Sequence, residues 1–160
     1  LPEFQSVFID NSSTCLALAE RINLSYKTVV TNGLQIAQKL SRKENVTVIV
    51  PGGQVYFNTN SVTGSMTCAA LSKFKVDLML SSCAALEDGD TYEHSMETMQ
   101  LKRRAFEISR KRILLVDRTK FALSALYRTC SAADYDAIIT NADDSAVAFL
   151  RSMNVNVINR

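Results

Sequence analysis

Short apolar segments alternate with helix-like segments along almost the whole chain, and this alternation strongly limits the possible folds. The apolar segments predict strands at residues 6–9, 28–31, 46–50, 76–80, 113–116, 137–140 and 155–158. Strands that are apolar without strict alternation are buried on both faces, and strands separated by helices pair in parallel through right-handed crossovers. The pattern therefore predicts an α/β fold, a three-layer, Rossmann-like arrangement around a mostly parallel sheet.

Helix-like apolar spacing fills most of the intervals between these strands. We predict helices over residues 14–22, 34–40, 62–74, 91–112 and 144–153. No internal repeat, low-complexity tract or linker interrupts the 160 residues, and 47% of them are hydrophobic. Because such a chain can bury a full core, we predict a single domain over residues 1–160.

The charge and the cysteine content argue against several classes of function. Lys and Arg total 18 against 16 Asp and Glu, so the chain lacks the basic surplus of a bare DNA-binding surface. No apolar run approaches the roughly 20 residues that span a bilayer. Cys15, Cys68, Cys83 and Cys130 have no paired spacing, and His94 is the single histidine, so we predict no metal site and no cofactor. We expect reduced thiols and a cytoplasmic protein.

Polar residues cluster where the predicted strands end. Ligands of open parallel sheets bind beyond the carboxyl ends of the strands, which makes these residues the candidate site, together with a lysine on the longest predicted helix. The candidate ligand-binding residues are Asp10, Asn11, Ser12, Ser13, Thr14, Thr31, Asn32, Gly52, Gly53, Lys102, Asp117 and Lys120.

The turn after the first strand is the most specific part of this set. Asn11 and three consecutive hydroxyl residues, Ser12, Ser13 and Thr14, stand at the start of a predicted helix. One capping residue would suffice for the helix and is worth about 1 kcal/mol, whereas N–H groups and hydroxyls at a helix N-terminus bind phosphate. The turn has neither the lysine nor the glycine-rich run of a nucleotide P-loop. We therefore predict a small phosphorylated or polyhydroxylated ligand, with capping alone as the alternative.

Two further turns are open to two interpretations. Thr31 and Asn32 close the second strand, and Gly52 and Gly53 follow the third. Both pairs could line the same crevice, or they could only cap a helix and turn the chain. We include them in the candidate site because each turn follows the carboxyl end of a predicted strand, as the turn at residues 10–14 does.

The charged candidates are also open to two interpretations. Lys102 or Lys120 would supply a cation to a phosphate, and Asp10 or Asp117 would accept sugar hydroxyls. A solvated helix face and a local ion pair are the alternatives. His94 stands alone and no paired carboxylates close a strand, so we predict no catalytic residue.

In their order along the chain, these motifs resemble the C-terminal effector-sensing domain of the DeoR family of bacterial transcription regulators. The resemblance is carried by residues 8–16, 30–34, 51–53, 76–77 and 86–89, by Glu97 and Lys102, and by residues 115–121, 124–126 and 138–141. It covers nearly the whole chain, and the segment 115–121 is the closest match. The motifs in this order are a specific indication of the family, although each motif alone is a weak signal.

The resemblance implies both a fold and a function. The fold would be similar to ribose-5-phosphate isomerase and related sugar-phosphate enzymes. The function would be that of a repressor of sugar metabolism that binds a phosphorylated sugar effector, forms a homo-oligomer and contacts operator DNA through an N-terminal helix-turn-helix domain. No such domain precedes the first strand here, so we interpret residues 1–160 as the sensing and oligomerisation domain.

Three departures from the family pattern affect the expected function. Ser12 replaces a glycine of the first turn, and Asn141 replaces an aspartate after the 137–140 strand. Residues 82–85 lack the carboxylate that the isomerases keep at this strand end, so we predict a domain that is not an enzyme. The alternatives are a sugar-phosphate isomerase or deaminase on the same fold, and an oligomerisation domain without a ligand.

Overall fold

The structure is a computed structural model that describes residues 1–159 of the chain. Its strands are β1 (Ser6–Ile9), β2 (Lys27–Thr31), β3 (Val46–Ile49), β4 (Gln54–Tyr56), β5 (Ser61–Thr63), β6 (Val76–Ser81), β7 (Ala85–Glu87), β8 (Asp90–Glu93), β9 (Ser109–Val116), β10 (Tyr127–Ser131), β11 (Ala137–Thr140) and β12 (Val157–Asn159). Its α-helices are α1 (Ser13–Arg21), α2 (Leu34–Leu40), α3 (Ser65–Leu71), α4 (Met96–Glu107) and α5 (Asp144–Ser152), and short 3-10 helices lie at Phe57–Thr59, Arg118–Ala122 and Ala132–Asp134. None of these helices combines the length and the apolar character needed to cross a membrane.

One large parallel sheet organises the fold. Its strand order is β12-β11-β9-β6-β1-β2-β3, and every neighbouring pair is parallel. The chain moves outward from β1 to β3 and then crosses to the other side of β1 at β6, which is the doubly wound order. The order reverses between β1 and β6, and doubly wound sheets bind their ligands at such a reversal. The predicted α/β fold with a mostly parallel sheet is confirmed.

Helices cover both faces of the sheet and produce the three layers. Within β1, Val7 and Ile9 belong to the core beneath α1 and α2, and Phe8 belongs to the core beneath α3 and α4. On that second face, α5 packs Leu150 into the same core as Ile138 of β11. Strands buried on both sides appear in the sequence as continuous apolar runs, which is why periodicity located them.

Two small antiparallel sheets accompany the central sheet, and the sequence analysis predicted neither of them. β4 and β5 form a hairpin, and β10, β8 and β7 form a three-stranded sheet. The N–H of Val62 in β5 donates to the carbonyl of Asn32 at 2.8 Å. The hairpin is therefore attached to the carboxyl end of β2, directly beside the candidate site.

The predicted helix over residues 62–74 is wrong at its start. Residues Ser61–Thr63 form β5, and α3 begins only after Gly64. Gly64 has a φ of 101°, a conformation that residues with a side chain rarely adopt. This glycine ends the strand and allows the helix to begin in a new direction.

The predicted helix over residues 91–112 is wrong at both ends. Asp90–Glu93 is β8, which pairs antiparallel with β7, and Ser95 caps α4 with its side chain. At the other end the chain enters β9 at Ser109, which pairs in parallel with Val76 of β6. Pairing with strands that are distant in sequence outweighed the local helical periodicity.

Candidate functional site

A buried carboxylate lies where the strand order reverses, between the carboxyl ends of β1 and β6. Asp10 follows β1 directly and is fully buried. Its Oδ1 accepts a hydrogen bond from the N–H of Ser12 at 3.0 Å. Its Oδ2 accepts from the hydroxyl of Ser81 at 2.8 Å and from the N–H of Ser82 at 2.9 Å. These bonds fix the turn after β1 to the end of β6.

Lys102 of α4 completes a buried cluster of charges around Asp10. Its Nζ lies 3.2 Å from Asp10 Oδ2 and 2.5 Å from Glu93 Oε1. It also donates to the carbonyl of Ser82 at 2.7 Å. Lys102 is only 5% exposed, and an ammonium has three hydrogens to donate. Hydrogen bonds to Glu93 and Ser82 and the ion pair with Asp10 commit this buried ammonium to groups of the protein itself.

The electrostatics of this cluster favour its charged form. Burial raises the pKa of Asp10, but the charge of Lys102 and hydrogen bonds from Ser12 and Ser82 outweigh burial and lower that pKa to about 2. Burial lowers the pKa of Lys102, but the charges of Glu93 and Asp10 outweigh it and raise that pKa above its ordinary value. Asp10 and Lys102 are therefore both ionised at neutral pH.

Two asparagines join the ends of β1 and β2. Asn32 Nδ2 donates to Asn11 Oδ1 at 3.1 Å, and Asn11 Nδ2 donates to the carbonyl of Thr59 in the hairpin at 3.3 Å. Gly33 permits this approach, because a Cβ there would lie 2.9 Å from the Cα of Asn11. Asn32 is fully buried, yet its Oδ1 accepts no hydrogen bond within residues 1–159. An unpaired buried acceptor costs roughly 1–3 kcal/mol, so a hydroxyl donor would stabilise this position.

The start of α1 offers donors beside the asparagine pair. Ser12 is the N-cap, and its hydroxyl accepts from the N–H of Cys15 at 3.1 Å. The first N–H groups of a helix have no partner inside it, so those of Ser13 and Thr14 face outward. Ser13 is exposed and Thr14 is half-buried. This turn therefore presents two N–H groups and two hydroxyls to a ligand.

A cavity of about 310 Å³ opens between α1 and the carboxyl ends of β9 and β11. Its lining is mostly apolar, with Leu18 and Ile139 among the side chains, and it also includes Thr14, Asp117, Asn141 and the cation of Arg21. The volume is at the lower end of the range of ligand pockets. Thr14 belongs both to the turn and to the cavity, so the cavity opens beside the turn.

The segment after β9 places Asp117 in the lining of this cavity, and Lys120 follows in the 3-10 helix Arg118–Ala122. Hydrogen bonds from the hydroxyl and the N–H of Thr119 lower the pKa of Asp117, against the opposing effect of partial burial. Lys120 is half-buried and forms no ion pair with any residue between positions 1 and 159. Unlike Lys102, it has an ammonium that is not committed to a carboxylate of the protein.

Cys83 lies beside the same charges, and its thiol is unreactive. Burial raises the pKa of its thiol to about 12, against the opposing effect of the Lys102 charge. The thiolate is the nucleophilic form of cysteine. At neutral pH this side chain is therefore protonated and unreactive.

The two glycines after β3 have different surroundings. Gly53 has a φ of 153°, and a Cβ there would overlap Thr67 Oγ1 and lie 2.9 Å from Val62 Cγ1. Gly52 has open space on the corresponding side. Gly53 therefore allows the chain to pack against α3 and β5. Thr31 has a similarly local contact, since its Oγ1 accepts from the N–H of Gly33 at 3.0 Å.

The candidate residues thus divide into three groups. The structure brings together Asp10, Asn11, Ser12, Ser13, Thr14, Thr31, Asn32 and Lys102 at the ends of β1, β2 and β6. Asp117 and Lys120 follow β9, and Gly52 and Gly53 lie by α3.

The sequence analysis did not select Glu93 or Arg21. Glu93 supplies a carboxylate next to Lys102, although residues 82–85 carry none. No local signal indicated it, because it lay inside the segment predicted as one long helix. Arg21 could have been found, because it lies seven residues after Thr14 in the predicted helix and therefore on the same face, two turns later.

A doubly wound parallel sheet with a cavity at the carboxyl ends of its strands is the architecture of a small-molecule-binding domain. The chain belongs to the family described as the DeoR C-terminal sensor domain, whose model matches residues 1–142. The family predicted from the sequence is confirmed.

The curated relatives are bacterial transcription regulators. The chain is 31% identical over 144 residues to the glycerol-3-phosphate regulon repressor of Escherichia coli (strain K12), which covers 89% of this chain and 57% of that protein. It is 32% identical over 140 residues to the HTH-type transcriptional regulator GolR of Listeria innocua, which covers 86% and 55%. It is 29% identical over 136 residues to the HTH-type transcriptional repressor GlcR of Bacillus subtilis, which covers 84% and 52%. The chain spans about half the length of these relatives.

Proposed function

We propose that this domain binds a phosphorylated sugar or polyol, and that this binding changes the affinity of the whole protein for operator DNA. The whole protein would act in the cytoplasm as a repressor of genes of sugar metabolism. Operator contact would come from a helix-turn-helix domain outside this chain, as the relatives named HTH-type regulators suggest. Such a response requires the ligand to prefer one state of the protein over the other.

The observation that carries the proposal is the set of groups at the start of α1. The N–H groups and hydroxyls of Ser13 and Thr14 suit a phosphate, which the positive end of the helix also attracts. Asn32 Oδ1, by contrast, is a buried acceptor without a partner. An ionised phosphate has no hydrogen to give it, whereas a ligand hydroxyl has one and would reach this shielded oxygen once the turn opens. The two features together favour a ligand that carries both a phosphate and hydroxyls.

The charged residues take different roles in this proposal. Lys120 supplies the cation for the phosphate, because its ammonium has no carboxylate partner in the described part of the chain. Asp117 lines the cavity and accepts ligand hydroxyls. Asp10 and Lys102 act as positioning residues, since their polar atoms are occupied by the protein.

We propose a sensor without catalytic activity for a related reason. Acid–base catalysis needs a titrating group within reach of the substrate. Asp10 is fully buried with both oxygens bonded, Lys102 is buried between two carboxylates, and the thiol of Cys83 is protonated. An assay that found turnover of a pentose or hexose phosphate would contradict this part of the proposal.

A thermal-shift titration of the chain tests the ligand class. The panel is glycerol 3-phosphate, which the name of the Escherichia coli relative suggests, together with ribose 5-phosphate, glucose 6-phosphate and fructose 6-phosphate. Free glycerol, ribose, glucose and inorganic phosphate are the controls. A ligand that binds only the folded state raises stability by mass action, so we expect a saturable rise with one ester and none with its free form. No rise with any ester would contradict the proposal.

A paired set of variants tests the location of the site. The double variant Ser13→Ala with Thr14→Ala removes two hydroxyls from the start of α1, and we expect ester affinity to fall by on the order of tenfold or more. The control is Ser41→Ala with Ser72→Ala, which removes two exposed hydroxyls that donate to carbonyls at the ends of α2 and α3. Unchanged affinity in the first variant would place the ligand elsewhere.

A further inference from the structure

One long segment of the chain carries no charge at all. Residues 46–72 contain no Asp, Glu, Lys, Arg or His, although 21% of the chain is charged. The segment forms β3, the β4–β5 hairpin and α3. Residues 52–60 within it are all exposed. An exposed surface without charges is unusual, because solvated loops normally carry polar and charged residues.

The hairpin also exposes large apolar side chains. Val55, Tyr56 and Phe57, which we call the hairpin patch, are 58%, 37% and 95% exposed. Met66 lies at the start of α3, shortly after β5. Met96 lies at the start of α4, and the residues next to it in sequence, Ser95 and Glu97, line a cavity together with Tyr56 and Phe57. Both methionines are exposed. Aromatic residues and methionine are enriched at the centres of protein interfaces, and charged residues are depleted there.

The hairpin patch coincides with an open strand edge. β4 pairs with β5 on one side, and no strand between residues 1 and 159 pairs with its other side. Soluble proteins protect such edges with lysine, proline or a bulge. β4 has the sequence Gln-Val-Tyr, with Phe57 directly after it. The edge is short but carries none of these residues, so its N–H and C=O groups are open to pairing with another chain.

We propose that the hairpin patch is the interface of a homodimer, in which the β4 strands of two copies pair antiparallel across a two-fold axis. A two-fold interface brings a surface against itself, and like charges would oppose this contact. A surface free of charge has no such repulsion. The same lack of charge argues against nucleic acid or a charged protein as the occupant, because both depend on complementary charge.

The proposed role as a repressor supports a second copy independently, and this step rests on the proposed function. Proteins of the helix-turn-helix class bind two half-sites as dimers, so a repressor of this class brings two sensor domains close to each other. Hydrogen bonds also connect the hairpin to the candidate site. Asn11 Nδ2 donates to the carbonyl of Thr59, and the N–H of Leu34 donates to the carbonyl of Asn60 at 3.0 Å. A ligand that moves Asn11 would therefore act on the dimer interface directly.

Sedimentation equilibrium of the chain without any ligand tests the interface. We expect the wild-type chain to form a dimer, or a larger even assembly, at micromolar concentrations. Val55→Lys places like charges across the axis and should halve the assembly mass, with an association constant at least about tenfold weaker. The control is Phe149→Ser, which removes a side chain of 55% exposure from α5, outside the uncharged segment. This control should keep the wild-type mass.

Two results would overturn the proposal: a monomeric wild-type chain, or a Val55→Lys variant that associates as tightly as the wild type. Circular dichroism of each variant checks the fold. Should Val55→Lys fail to fold, Phe57→Ser gives the same test, because its side chain is almost entirely in solvent. Since no effector is present, failure here is separate from failure of the sensing proposal.

Discussion

At the scale of single residues, Asp10 shows how a buried charge holds the candidate site together. Its carboxylate accepts from Ser12, Ser81 and Ser82 and lies 3.2 Å from the ammonium of Lys102. These partners lower its pKa from 3.8 to about 2 against the effect of burial, which raises it. A lowered pKa in the folded state means that the ionised form stabilises the fold above about pH 4. This stabilisation is lost as the pH falls through about 2.

Replacing Asp10 therefore has an effect that depends on pH. Asp10→Asn leaves the ammonium of Lys102 without one of its carboxylates, and we expect a loss of about 3 kcal/mol in the free energy of unfolding at pH 7. The difference from the wild type should shrink by about 2 kcal/mol between about pH 4 and pH 2, because the wild-type carboxyl becomes protonated. Urea unfolding across this range measures both effects.

A matched control separates Asp10 from the other carboxylates that titrate in acid. Asp88→Asn changes an exposed residue with a positive φ of 49°, a conformation that asparagine tolerates. Its free energy of unfolding should stay within about 0.5 kcal/mol of the wild type at each pH. A constant difference between Asp10→Asn and the wild type at every pH would show that Asp10 is not ionised in the folded state.

At the scale of elements, glycines and caps decide where strands give way to helices. Gly64 separates β5 from α3, and Ser95 separates β8 from α4. Both signals are local and were present in the sequence. Helical periodicity on either side concealed them, so the segments 62–74 and 91–112 were predicted as unbroken helices. A capping residue or glycine inside an apolar pattern therefore carries more information about element ends than the pattern itself.

The two adjacent glycines after β3 provide a test at this scale. Gly53→Ala places a Cβ against Thr67 Oγ1 and Val62 Cγ1, in a backbone conformation with φ of 153°. We expect a loss of about 2 kcal/mol or more in the free energy of unfolding, because α3 or the hairpin must shift. Gly52→Ala meets nothing within 4 Å and should change stability by less than about 0.5 kcal/mol. Equal effects in thermal unfolding would contradict this packing.

At the scale of the whole molecule, the buried charges connect the central sheet to the small β7–β8–β10 sheet. Glu93 belongs to β8, Lys102 to α4, and Asp10 follows β1. The contacts of Lys102 with Glu93 and Asp10 join these three elements at the reversal point of the sheet. The site is thus built on elements that are far apart along the chain and adjacent only after folding.

Removing the charge of Glu93 should loosen one part of the molecule only. Glu93→Gln weakens a charge-assisted bond worth about 1.5–3 kcal/mol, so we expect backbone amides of β7, β8 and β10 to exchange with solvent about tenfold faster or more. Amides of β1 and β9 should keep their protection. Hydrogen exchange followed by mass spectrometry resolves these segments. Glu87→Gln, at an exposed position of β7, is the control, and a uniform increase in all strands would contradict the assignment.

The sequence by itself determined the α/β class, the parallel central strands and the turn at residues 10–14. Each depends on local patterns: apolar strands buried on both faces, helical spacing, and hydroxyls at a helix start. Helix α2 and strands β1 and β11 even have the predicted bounds. The family resemblance rests on the same short motifs, and the family match over residues 1–142 confirms it.

Only the tertiary structure decided which groups remain available for a ligand. Lys102 and Lys120 are equivalent cations in the sequence, but the fold surrounds Lys102 with two carboxylates and leaves Lys120 without one among residues 1–159. The fold likewise leaves Asn32 Oδ1 without a donor. These outcomes depend on contacts between segments far apart along the chain, such as Asp10 with Ser81 and Asp10 with Lys102. Local periodicity contains no information about such pairings, because burial and hydrogen bonding are settled only when the segments meet.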